Sequence, residues 1–108
     1  MTIPDPSKTS TLEALAAEMV EGLPAVTTTP GGAGRTWATD GVEFAVVGPM
    51  GIELRLDPAV AAAATRTPDT APSPRGREWV RFNPRELDAH ALDRLRAWLE
   101  LAHRRATE

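Results

Sequence analysis

The 108 residues contain no cysteine. That absence excludes disulfides, thiolate zinc sites, iron–sulfur ligation and a cysteine nucleophile together. Positive charge is not in excess either: twelve basic against fifteen acidic side chains give a formal net charge of −3. Without concentrated positive charge, nothing draws the chain strongly to a phosphate backbone or an anionic lipid surface. No apolar run approaches the roughly 18 residues of a membrane span. The first ten residues hold one lysine and two prolines with no apolar centre, so no secretory leader is predicted and a cytoplasmic location is expected. Signatures of chemistry are missing as well. The glycine cluster Pro30-Gly31-Gly32-Ala33-Gly34 lacks the Lys-Ser/Thr pair of a P-loop and the spacing of a dinucleotide fold, and no G-x-S-x-G elbow occurs. No catalytic residue, cofactor or metal is therefore assigned.

What is present reads as one globular domain. Apolar content of 42% with 25% charged residues is ordinary for a folded chain, and folding at this length hides roughly 65% of the unfolded surface. Eleven of the twelve basic residues are arginine, a pattern that reads as codon bias rather than as eleven bidentate contacts.

The organising stretch runs from Asp40 to Asp57. Two alternating runs, Val42 to Val47 and Ile52 to Leu56, flank Gly48-Pro49-Met50-Gly51 and predict a β-hairpin. Strict alternation puts Val42, Phe44, Val46, Ile52, Leu54 and Leu56 on one buried face, with Glu43, Ala45, Val47, Glu53 and Arg55 on the other. Upstream, Asp40-Gly41 is a strong two-residue hairpin signal joining a strand over 35–39 to the first of these runs. A further edge strand is expected over 25–29. Ser10 with Glu13 forms a capping-box pattern, so the first helix is expected to start there and to end at Gly22 and Pro24, with residues 1–9 as a loose arm and 10–106 as a single domain.

Downstream, Asp57-Pro58 opens a short Ala-rich helix. Residues 66–77 hold three prolines and are expected to form a long loop without regular structure. A last strand, Glu78 to Phe82, is expected to turn Val80 and Phe82 to the core and Trp79 and Arg81 away from it, or the reverse if its register slips by one. Asp88 caps a C-terminal helix whose apolar stripe includes Leu92, Leu95, Trp98, Leu99 and Ala102. The sum is an α+β fold: an antiparallel meander sheet of four to five strands, with N- and C-terminal helices packed mainly on one face.

The histidines, His90 and His103, fall on different faces of the last helix and are expected at the surface, without a shared metal. If the long helices cover one side of the sheet, the other shows Trp37, Arg55, Trp79 and Arg81. Arg66, Arg75 and Arg77 make the long loop the best candidate for anion contact, beside the plainer reading of a solvated surface loop. Tryptophan with arginine on an uncovered sheet suits stacking of unpaired bases, dimerisation, or capture of a protein or small molecule. The acidic balance favours the last over nucleic acid, with the chain a monomer or a homodimer. Were the Ala-rich helix to cover that side instead, the tryptophans would be plain core. Glu43 and Glu53 could also share the exposed face as a carboxylate pair for a small hydrolase or isomerase.

Gly51-Ile52-Glu53-Leu54-Arg55-Leu56-Asp57, Glu78-Trp79-Val80-Arg81-Phe82 and the closing helix resemble small bacterial domains of unknown function that carry a luciferase-like label. More distantly they resemble the MmcQ/YjbR group, with its frataxin-like (CyaY-like) α+β fold. The first resemblance implies no light chemistry, since a flavin luciferase barrel takes about 250 residues. The second implies a DNA-binding role. Neither supplies a catalytic residue to carry over.

Overall fold

The computed structural model describes residues 6–31 and 34–108. These form α1 (Pro6–Val20), β1 (Val26–Gly31), β2 (Gly34–Thr39), β3 (Val42–Gly48), β4 (Gly51–Arg55), α2 (Pro58–Ala64), β5 (Thr70–Pro72), β6 (Trp79–Phe82) and α3 (Ala89–Ala106). The strands make one antiparallel sheet in the order β1-β2-β3-β4-β6-β5. The α+β class is as expected, with six strands rather than four or five.

Local chemistry accounts for most boundaries. Asp40 and Gly41 both take left-handed φ, 51° and 79°, which a two-residue turn between twisted strands requires. The Asp57 carboxylate accepts from the Ala59 N–H at 3.0 Å, and Asp88 accepts from the Ala91 N–H at 2.9 Å, capping α2 and α3. Two expected boundaries need correction. The first helix starts at Pro6, not Ser10, because proline is well placed in a first turn, where its missing N–H is not needed. Glu13 is therefore mid-helix, and it pairs with Arg35 at 2.9 Å. Residues 1–5 of the expected arm, and Gly32 and Ala33 of the glycine cluster, lie outside the described residues. The second correction falls in the expected loop, where Thr70–Pro72 add an edge strand to β6. An edge is where a strand tolerates proline.

The sheet's two faces are set by a bulge. Trp37 pairs with Ala45, but Ala38 pairs with Glu43, so Phe44 is an extra residue in β3. Both bulged residues then point to one side, and Phe44 and Ala45 are each fully buried. Beyond the bulge the alternation is inverted relative to the strict pattern: Ala45 and Val47 face inward and Val46 outward. Val47 lines up with Ile52 and Phe82, and Ala45 with Leu54 and Val80. These rows, with Trp37, Phe44 and Leu56, are the sheet's share of the core.

All three helices cover this one side. The α1 residues Leu12, Ala16 and Val20, and the α3 residues Leu95, Leu99 and Ala102, are buried in the same cluster. Arg105 of α3 pairs with Asp57 at 3.6 Å, and Arg94 of α3 donates to the Pro68 carbonyl at 2.7 Å. Contacts at both ends set α2 beside α3, antiparallel to it, and not on the opposite face. His103 is buried rather than at the surface: its ring meets Phe44 edge-on at 5.6 Å and its Nε2 donates to the Pro24 carbonyl at 2.8 Å. His90 is exposed.

Two glycines separate backbone strain from collision. Gly41 has left-handed φ but open space where a Cβ would stand, whereas a Cβ on Gly34 would overlap the Val47 carbonyl. Gly41→Ala is expected to cost about 1 kcal/mol, and Gly34→Ala at least twice that, because the β2-β3 pairing must part. Urea unfolding followed by tryptophan fluorescence measures both.

Candidate functional site

With every helix on one side, the other side of the sheet carries Thr36, Ala38, Glu43, Val46, Glu53, Arg55, Trp79 and Arg81. Pairing fixes their neighbours: Arg55 stands opposite Trp79, and Glu53 stands between Val46 and Arg81. Trp79 and Arg81 are half-buried, and Arg75 of the segment after β5 lies over the Trp79 ring.

Within that segment, Ser73 is the residue that sequence reasoning missed. Ser73 is buried and its hydroxyl donates to the Glu53 carboxylate, while its Oγ accepts from the Arg75 N–H at 3.2 Å. Arg75 is thereby turned over the sheet. Its guanidinium pairs with Glu53 at 3.3 Å and lies 5.4 Å from the centre of the Trp79 ring, within cation–π range. The Arg81 guanidinium has no ion-pair partner among the described residues. It lines a recess of about 170 Å³ with Glu53, Pro74 and Met50, a large apolar residue that is 55% accessible.

Of the expected site residues, Arg55, Arg75, Trp79 and Arg81 come together. Trp37 does not: its partner Ala45 is on the helix side, and its ring is 1% exposed in the core. The bulge is the reason, because it changes the phase of the strand against which Trp37 is read. Arg66 is exposed in the turn after α2 and Arg77 is exposed after β5; neither pairs with an acid among the described residues, and β5 separates them in the chain. Glu43 and Glu53 do not form a catalytic pair. Glu43 is exposed opposite Ala38, and Glu53 is held by Ser73 and Arg75.

Glu78 links the two sides of the sheet. It accepts from Arg105 of α3 and, at 3.1 Å, from Arg55 of the open face. Alternation sets Glu78 on the opposite face from Trp79 and Arg55, so no strand-pairing signal in the sequence marked this contact around the strand end. Arg105 first, and then Arg55, hold the Glu78 carboxyl below its ordinary range. Two larger hollows, each about 520 Å³, lie elsewhere: an α1-α3 groove lined by Met19 and Leu92, and a cleft at the start of α3 lined by Asp69, Arg85, His90 and Arg94. Among the described residues, no three His, Asp or Glu side chains converge as a metal site, and no helix is long and apolar enough to cross a membrane.

No protein family, curated protein or solved structure matches this chain.

A lowered carboxylate value means stabilisation that is complete above the unfolded value, about 4.5, and is lost as the pH falls through the folded one. Glu78→Gln is therefore expected to melt earlier than the wild type at neutral pH. The gap should close progressively below pH 4.5, as read from thermal unfolding at a series of pH values.

Proposed function

We propose that this protein is a non-enzymatic interaction module that captures an acidic segment of a partner protein on the bare sheet face around Trp79 and Arg81. The observation that carries the reading is an indole on a helix-free sheet face, braced by Arg75 and adjoined by a guanidinium with no ion-pair partner among the described residues. Aromatic and arginine side chains dominate binding energy at protein interfaces, because each offers a large rigid area together with a polar end. Here Arg55 and Arg75 are neutralised by Glu78 and Glu53, so the charge left to answer is that of Arg81. A carboxylate is the complementary group, and the apolar Met50 and Pro74 beside it suit the stem of a glutamate or a neighbouring apolar side chain.

A second reading, weak binding of single-stranded nucleic acid, draws on the same Trp79 and Arg81, since any base can stack on an indole. The carboxylates of Glu43 and Glu53 on this face and the net charge of −3 weigh against it. The hydrolase reading has less support, because Glu53 is already engaged on both sides by Ser73 and Arg75.

Trp37 and Trp98 are buried, at 1% and 8% exposure, so a ligand on the sheet face changes chiefly the emission of Trp79. Titration with a short Glu- and Asp-rich peptide at about 50 mM salt should give a saturable emission change that Arg81→Glu abolishes, and calorimetry should show binding lost in Trp79→Ala, with single-stranded oligothymidylate giving no response. A response to the oligonucleotide alone would favour the second reading, and no response to either would remove both.

A further inference from the structure

The sheet ends in two edges that differ sharply. At one, β5 is three residues long and finishes in Pro72, and the chain then folds over the open face through Ser73 and Arg75. Shortness and proline are common ways to prevent an edge from pairing. At the other, β1 is six residues, Val-Thr-Thr-Thr-Pro-Gly, with no charged side chain and with Thr27, Thr28, Thr29 and Pro30 all exposed. Among the described residues of β1, Pro30 is the one such safeguard.

Pro30 also fixes which groups the edge offers. A proline is accepted in an edge strand where its nitrogen faces outward. Backbone groups alternate in direction along a strand, so Val26 and Thr28 present their N–H and C=O groups on the same side as the Pro30 carbonyl, while Thr27 and Thr29 bond to β2. We infer that two copies of this chain pair β1 to β1 antiparallel about a two-fold axis at Thr28, joining their sheets edge to edge. In that register Thr28 exchanges both of its hydrogen bonds with the Thr28 of the second copy. The Val26 N–H of each copy reaches the Pro30 carbonyl of the other, and the missing proline N–H leaves only the Val26 carbonyl unanswered. Shifting the axis by one residue toward Val26 overlaps less of β1, which begins at Val26 after the left-handed Ala25.

A second copy fits this edge better than an unrelated strand because the side chains match themselves. Thr28 meets Thr28 on the helix side, and Thr27 meets Thr29 on the open side. Threonine pairs are favourable cross-strand neighbours, and no like charges are opposed. The contact is confined to one strand edge, at the small end of specific interfaces, so the dimer depends on concentration. The pairing also continues the open face of one copy into that of the other.

The chain lacks cysteine, so a single introduced thiol reports on its own environment. Sedimentation over a concentration series up to about 1 mM should move the mass from 11.6 kDa toward twice that value. Thr28→Lys, which sets two ammonium groups against each other on the axis, should stay monomeric with unchanged circular dichroism. Under mild oxidation Thr28→Cys should form a covalent dimer at least tenfold faster than Met50→Cys, whose thiol sits on the β3-β4 turn. Three results would each overturn the inference: a chain monomeric at every concentration, a dimer unmoved by Thr28→Lys, or Thr28→Cys linking no faster than the Met50 control.

Discussion

The bulge at Phe44 is the constraint on which the two faces of this molecule depend. One extra residue opposite Trp37 lets Phe44 and Ala45 both turn inward, and every later residue of β3 is then read in the opposite phase. Phe44 meets the His103 ring of α3 there, so the bulge and the C-terminal half of that helix hold each other. Val46 is placed outward by the same shift, which keeps the row through Glu53 and Arg81 on the helix-free side. Without the bulge, Ala45 and Val47 would face solvent, and Trp37 would lose its place beside Ala45.

The features legible in the sequence are those governed by a few adjacent residues. Asp40-Gly41, Asp57-Pro58 and the Asp88 cap are each decided by one turn or one first helical turn, and all three stand as read. The bulge is not local in that sense. It is a property of the pair β2 and β3, and a single strand of alternating Val, Phe and Ala carries no mark of where its partner will skip a residue. The β5 strand escaped for a related reason: three prolines across residues 66–77 are a sound argument against a central strand but not against an edge one. His103 escaped because its burial depends on Pro24, seventy-nine residues away, supplying a carbonyl.

The same division separates the parts of the candidate site. Trp79 and Arg81 lie in an uninterrupted four-residue strand, so period-two alternation placed them correctly against Val80 and Phe82. Trp37 lies opposite the bulge, and alternation failed there. Arg75 was visible as a loop arginine, but its position over Trp79 depends on Ser73, whose hydroxyl joins Glu53 on β4 to the Arg75 backbone. A loop serine carries no signal that it will be buried.

The ion pairs on this face act on recognition more than on stability. Exposed pairs such as Arg75 with Glu53 contribute roughly 0–1 kcal/mol each, which is small beside the burial of Phe44, Ile52, Leu54 and Phe82 beneath the helices. Their larger effect is on which charges remain available. Glu53 cancels Arg75 while keeping it fixed over the indole, and Glu78 cancels Arg55 while tying the face to Arg105 of α3. Arg81 stands opposite Glu53 in the sheet but forms no ion pair among the described residues, so the chain's net negative charge coexists with a local positive group on this face. A partner that met the whole molecule by charge alone would be repelled if acidic. One that met this recess would find the single guanidinium there whose field no neighbouring acid offsets by an ion pair. Specificity on such a surface comes from that contrast, in which a weakly repulsive background surrounds one attractive, aromatic-flanked point.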